Sequence, residues 1–135
     1  MLHQQLLRTF RGKWHRRWEV VSGCSQDYAA LRSVGQSREA RMARDAIFRF
    51  AVKLYALEVD WERFHPDFAF AAAIEPELPG ADCELHDAAM TFAREEIGSM
   101  RGAFEWRGFD QMTEATRERK MVLLRAARRY ARAYL

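Results

Sequence analysis

Residues 116–135 read TRERKMVLLRAARRYARAYL, and their spacing predicts an amphipathic helix. At about 100° per residue, Arg117, Arg128, Arg132, Arg125 and Arg129 fall within about 120° of one another. Leu123, Ala127, Tyr130 and Tyr134 fall on the opposite side. One side is suited to a core, and the other presents arginines in a row. From Arg117 to Arg132 there are seven cationic residues and one acid, Glu118. Planar, multidentate guanidinium groups in a row suit a partner carrying a line of phosphates.

The same helical period runs back through the chain. Leu7, Phe10, Trp14, Trp18 and Val21 share one side of a first helix, expected from about residue 2 to Ser22 and capped by Gly23. Arg8 and Arg16 face away from that stripe, with Arg11, Lys13 and Arg17 also on the outward side. Ser25 is placed to cap a short helix containing Tyr28 and Leu31 and ending at Gly35. Ser37 is expected to cap a long helix that reaches about Phe64. Its inward stripe is Ala40, Ala43, Ile47, Phe50, Ala51 and Leu54, with Arg38, Arg49 and Lys53 opposite.

Pro66 forces a break and can open a short helix through Ala73. Residues 75–83, EPELPGADC, hold two prolines and a glycine and read as a loop. Asp82 is expected to cap the next helix, in which Leu85, Ala89, Phe92, Ala93, Glu96, Met100 and Phe104 recur at helical spacing. Gly98 and Gly102 weaken that helix, and Gly108 ends it. Asp110 or Thr113 begins the last one. No strand-like alternation persists. The expectation is an all-α fold, a compact bundle of five or six helices forming one domain over residues 1–135. The loop at 75–83 is then a hinge within that domain.

Composition narrows the class. Of 135 residues, 49% are hydrophobic, and nine Phe, four Trp and four Tyr supply aromatic bulk for a core. That is too apolar for a disordered chain. The longest apolar run, Phe68 to Ile74, is seven residues, too short to cross a bilayer. No secretory signal is visible at the N-terminus. Two cysteines, Cys24 and Cys83, are no disulfide framework, so a cytoplasmic setting with free thiols is expected.

A net charge of +3 conceals segregation: residues 1–57 carry +7, residues 58–87 carry −8, and residues 88–135 carry +4. Basic ends therefore flank an acidic middle, able to steer an anionic partner or to meet a neighbouring copy. Nineteen of the cations are Arg and three are Lys, a bias that suits phosphate but that a GC-rich genome also produces.

Catalytic and metal equipment is sparse. Cys83 and His86 form C-x-x-H, but a structural zinc needs four ligands, and Cys24, His65 and His15 add no paired spacing. A helix-start cysteine and a surface histidine are expected. Glu62-x-x-His65 is half of a di-iron carboxylate motif with no second copy. Glu58, Glu62 and Asp67, and then Glu84 and Asp87, read as solvated acidic surface. There is no nucleophile elbow and no glycine-rich phosphate loop. No metal, no cofactor and no enzymatic activity are expected. A small helical enzyme would instead reveal itself as a pocket holding buried carboxylates from residues 58–87.

The basic faces remain. Arg117, Arg125, Arg128, Arg129 and Arg132 are the primary candidates for phosphate contact. Arg38, Arg49 and Lys53 are secondary, and Arg8 and Arg16 on the first helix are tertiary. Two such faces side by side would make a positive groove along a nucleic-acid backbone. The competing reading is a set of ordinary solvated helix faces. A membrane-surface role for the last helix ranks below both, because the domain needs that helix for its own core. The aromatics belong to the apolar stripes, with Trp61, Trp106 and Tyr134 at element edges beside charge.

Basic faces at Arg38–Lys53 and Arg117–Arg132, set on apolar stripes at Ile47–Leu54 and Leu123–Tyr134, resemble the small subunits of CRISPR effector complexes. The resemblance lies in overall character and covers the whole chain. It implies several copies stacked along a guide RNA–target duplex, touching RNA or DNA backbone without catalysis. It also implies contact with other subunits, with the acidic Glu58–Asp87 region against an adjacent basic face. A uniformly basic chain would match that family more cleanly. The alternative is a helical protein-interaction module, such as a phage or host adaptor or inhibitor, whose charged faces bind proteins.

Overall fold

The computed structural model describes residues 2–64, 80–102 and 114–133. These form four helices: α1 (Leu2–Ser33), α2 (Ser37–Phe64), α3 (Gly80–Gly102) and α4 (Glu114–Ala133). The all-helical expectation holds among the described residues, but the number is four rather than five or six.

One helix, α1, replaces the two expected between Leu2 and Gly35. Gly23 does not stop it. A glycine inside a helix costs about 1 kcal/mol, too little to interrupt an element whose Val21, Ser25 and Tyr28 all enter the core. Ser25, expected as a cap, is itself buried. Its hydroxyl donates to the Val21 carbonyl one turn back at 2.7 Å, which satisfies it without a chain break.

The real stop is Gly35, at φ +77°. The Gln36 N–H donates to the Leu31 carbonyl at 2.9 Å and the Gly35 N–H to the Arg32 carbonyl at 3.3 Å. This pair of bonds is a Schellman motif, which requires a left-handed residue where Gly35 stands. The Gln36 carbonyl then accepts the first bond of α2, from Ala40 N–H at 2.9 Å. Gln36 is therefore the N-cap, and Ser37, expected there, is the first helical residue.

The helix expected after Pro66 and residues 75–79 of the expected loop lie outside the described residues. Gly80–Cys83, placed in that loop by sequence, are already helical, and Asp82 sits in the first turn of α3 instead of capping it. The helix end expected at Gly108 and the start expected at Asp110 or Thr113 also lie outside.

Each helix packs on its neighbours in chain order, and α4 closes the ring against α1. Phe10 meets Trp61, Trp14 meets Glu58 and Arg17 meets Lys53, so α1 and α2 run antiparallel. Phe48–Phe92 and Glu58–His86 set α3 antiparallel to α2. Asp82 beside Tyr130 and Glu96 on Arg119 set α4 antiparallel to α3. The result is an up-down-up-down bundle.

The core holds the predicted stripes, with Trp14, Val21, Ile47, Ala51, Leu54, Leu85, Ala89, Leu123 and Ala127 fully buried. Fully burying a large apolar side chain contributes roughly 1.5–3 kcal/mol, so these stripes outweigh the weak intrinsic helix preference of the long, charge-rich α1. Phe10 and Trp61 stack with ring centroids 4.5 Å apart. Trp61, expected at an edge, is therefore a core residue, whereas Trp106 and Tyr134 lie outside the described residues.

Candidate functional site

The α4 helix is locked by one side and open on the other. Leu123, Leu124, Ala126, Ala127, Tyr130 and Ala131 are buried, while Arg117, Arg125, Arg129 and Arg132 are exposed. Arg128 is half-buried at the edge of the face, displaced from the open position its wheel angle predicts. Among the described residues, no carboxylate forms an ion pair with Arg117, Arg125, Arg129 or Arg132.

Their neighbour Arg119 does different work. It is half-buried, reaches Glu95 at 3.7 Å and Glu96 at 3.4 Å, and donates to the Thr116 hydroxyl at 3.1 Å. It ties α4 to α3.

Two apolar side chains interrupt the arginine face, with Met121 46% exposed and Val122 51% exposed. At about 100° per residue Met121 lies between Arg128 and Arg132, and Val122 lies beside Arg129. That signal was present in the sequence, but charge alone hid it.

The secondary cations divide. Arg38, Arg49 and Lys53 are all exposed on α2. Lys53 lies on the α1 side: its backbone carbonyl accepts from Arg17 at 2.6 Å, and its ammonium sits 4.7 Å over the Phe50 ring. Arg17, expected to face outward, is thereby half-buried between helices. Arg49 instead borders a groove between α2, α3 and α4 with Phe48, Val52, Phe92, Asp45, Glu96 and Lys120. On α1, Arg8 and Arg16 are exposed, and Arg8 and Arg11 line a depression with Gln4 and Leu7. Because α1 packs on both α2 and α4, it stands between the other two basic helices.

The acidic middle is not uniformly surface. Asp60, Glu62, Glu84 and Asp87 are exposed, but Glu58, Asp82 and His86 are buried. His86 Nε2 lies 2.9 Å from Glu58 Oε2, and the Trp14 indole N–H donates to the same oxygen at 3.2 Å. The Trp18 indole donates to Asp82 Oδ2 at 3.3 Å. The Tyr130 phenol is pushed above its ordinary range by burial; a hydrogen bond with Ser22 opposes this and the charge of Asp82 adds to it.

The expectation of solvated carboxylates and a surface histidine therefore fails for these three residues. Helical spacing turns Glu58 onto the stripe that carries Leu54 and Trp61, and His86 onto the one that carries Leu85 and Ala89. Paired tryptophan N–H groups make that burial tolerable, since a buried carboxylate needs donors.

A carboxylate–histidine pair has the parts for proton transfer. The surface grooves are lined elsewhere: by Leu6, Thr9, Phe10, Lys13, Leu57, Asp60 and Trp61; by Gln4, Leu7, Arg8 and Arg11; and by the Arg49–Lys120 set. None of these three has Glu58, Asp82 or His86 in its wall. The cluster joins all four helices: α1 by its indoles, α2 by Glu58, α3 by Asp82 and His86, and α4 by Tyr130.

His86 of the C-x-x-H pair is thus directed at Glu58, while Cys83 is half-buried. Among the described residues, no three His, Cys, Asp or Glu side chains converge as metal ligands, and His65 lies outside them. No helix is long and apolar enough to cross a membrane among the described residues. The chain matches no family model, no curated protein and no solved structure.

Proposed function

We propose that this chain is a non-enzymatic helical subunit that binds nucleic-acid backbone through the outer face of α4, within a larger ribonucleoprotein assembly. One observation carries the reading: Arg117, Arg125, Arg129 and Arg132 are exposed on a helix anchored by its other side, with no ion pair to a described carboxylate. Surface arginines with internal partners would have little left to offer a phosphate; these four keep their full charge for one. Arg38, Arg49, Arg8 and Arg16 extend the basic surface on the neighbouring helices.

The character shared with CRISPR effector small subunits supports a place along a guide RNA–target path. Exposed Asp60, Glu62, Glu84 and Asp87 give a second copy or another subunit a surface of opposite charge to meet.

Salt titration tests the reading. Four phosphate contacts give a log K against log salt slope of about −3 to −4, at roughly 0.7–0.9 per contact. Arg125→Ala, Arg129→Ala and Arg132→Ala together should flatten it by about 2 to 3. Failure to bind any unrelated-sequence RNA or DNA at low salt, alone or with co-purifying proteins, overturns the proposal.

A second reading, a protein-interaction module, is favoured by Met121 and Val122 within the arginine face. Met and Arg are the residues enriched, and Lys and Glu those depleted, at protein interfaces.

A further inference from the structure

The groove between α2, α3 and α4 has a chemistry of its own. Its walls are Phe48, Val52 and Phe92, and its rim carries Asp45, Arg49, Glu96 and Lys120, around a volume of about 280 Å³. The Phe48 and Phe92 rings lie 5.2 Å apart at 35° and form a slanted apolar wall. The Lys120 ammonium lies 4.9 Å from the centre of the Phe48 ring, so it stands over that wall and not out in solvent.

We propose that this groove is a binding site for a small apolar carbonyl compound, a ring-bearing or branched aldehyde or ketone, held through reversible imine formation with Lys120.

Size sets the first limit. Ligand pockets usually hold about 300–1,000 Å³, so a space of about 280 Å³ suits one ring or a branched chain and is too small for a nucleotide. Charge sets the second. Arg49 and Lys120 are matched at the rim by Asp45 and Glu96, so an anionic ligand gains nothing net, while a neutral apolar body gains the two phenyl rings and Val52.

Reactivity sets the third. Burial lowers the Lys120 pKa; the Arg44 charge also lowers it, whereas Glu96 and Asp45 raise it. A desolvated lysine in apolar surroundings is the usual way to obtain a nucleophilic amine near neutral pH. The Nζ lone pair attacks the carbonyl carbon as the carbonyl π bond breaks onto oxygen. The oxygen takes a proton, the attacking nitrogen loses one, and the carbinolamine then loses water to give the protonated imine. No oxidant or reductant enters. Asp45 and Glu96 flank the amine where proton exchange is needed. The site uses neither the outer arginines of α4 nor the buried Glu58–His86 pair, so it stands independently of the nucleic-acid proposal.

The chain's three lysines make the test clean. The full chain is incubated with benzaldehyde near neutral pH, reduced with borohydride to fix the imine, and mapped by peptide mass spectrometry. Lys120 is expected to label several-fold faster than the exposed Lys13 and Lys53. Its lead should shrink as pH rises into the ordinary lysine range, where the other two also deprotonate. Lys120→Arg should remove the fast label and leave the helical circular dichroism intact.

Formaldehyde, which has no apolar body, separates a site from a merely reactive amine: Lys120 should lead by less with it than with benzaldehyde. Labelling of Lys13 and Lys53 as fast as Lys120 overturns the proposal. So does an equal lead with both aldehydes, because the groove would then contribute no binding.

Discussion

His86 Nε2 and Glu58 Oε2 lie 2.9 Å apart at the centre of the bundle, each side chain less than a tenth exposed. The contact joins α3 to α2, and the Trp14 indole on the same carboxylate oxygen brings in α1. Neither partner has water to fall back on. Removing one leaves the other desolvated, which for a buried pair costs about 3–5 kcal/mol. Glu58→Ala should therefore lower unfolding stability by about that much in urea titration. Trp14→Phe, which removes the indole N–H, should cost about 1–3 kcal/mol. The double variant should fall short of the sum, because both act on one oxygen. Glu62→Ala, four residues on and exposed, should move stability by less than about 0.5 kcal/mol. Equal effects at positions 58 and 62 would show that the pair braces nothing.

Two glycines of α1 and its turn should respond in opposite directions. A Cβ added at Gly23 meets nothing within 4 Å, and the residue lies inside the helix. Gly23→Ala should stabilise the fold by about 0.5–1 kcal/mol through helix propensity and a less flexible unfolded chain. Gly35 also has open space, but its φ of +77° is left-handed. Gly35→Ala should destabilise by about 1–2 kcal/mol. Thermal melts of the two variants settle both signs. Stabilisation at both positions would mean that the Schellman turn does not limit this end of the bundle.

The contrast also shows what the sequence could convey. The apolar stripes of α1, α2 and α4 were legible because a period of 3.6 places Trp14, Ile47, Leu54 and Leu123 unambiguously on inward faces. Gly23 misled because glycine marks a helix end only where a left-handed residue is needed, and that need arises from tertiary setting. Glu58, Asp82 and His86 were misread for a related reason. Their residue types imply solvent, and only the approach of two tryptophans from α1 makes their burial tolerable. Arg119 and Arg125 carry identical charge in sequence, yet one is an inter-helix tie and the other an open surface group. The difference lies in Glu95 and Glu96, contributed by another helix. Local pattern sets the face a residue occupies; partners set what it does there.

Alkaline pH should weaken the bundle through Tyr130. Burial raises its phenol pKa in the folded state, Ser22 partly offsets this, and Asp82 adds to it. The folded protein thus holds that proton more tightly than the unfolded chain. The associated stability is fully present below the ordinary phenol pKa, about 10, and is lost as pH rises through the higher folded value. Unfolding free energy measured across that window should fall for the native chain and fall less for Tyr130→Phe. Identical pH profiles would remove Tyr130 as the cause. Ultraviolet titration of the tyrosines supplies a second check, because Tyr130 should ionise after an unhindered phenol.

The apolar pair on the arginine face separates the two readings of α4. Met121 and Val122 are about half exposed and make little contribution to the core, so replacing both with alanine should leave stability within about 0.5 kcal/mol. If the face follows a phosphate backbone, binding rests on charge. The double alanine variant should then keep the salt slope and lose less than about twofold in affinity, while loss of Arg125, Arg129 and Arg132 flattens the slope. A protein partner would reverse this order. A central apolar side chain enclosed by arginines is where binding energy concentrates in such interfaces, and truncating it costs about 2 kcal/mol or more, roughly thirtyfold. Anisotropy with labelled RNA, alongside co-purification of the native and double alanine chains, reads both outcomes. Undiminished RNA binding with lost protein capture would assign Met121 and Val122 to a protein surface adjoining the phosphate-binding arginines. A thirtyfold loss of RNA affinity would show that the backbone-only account of α4 is wrong.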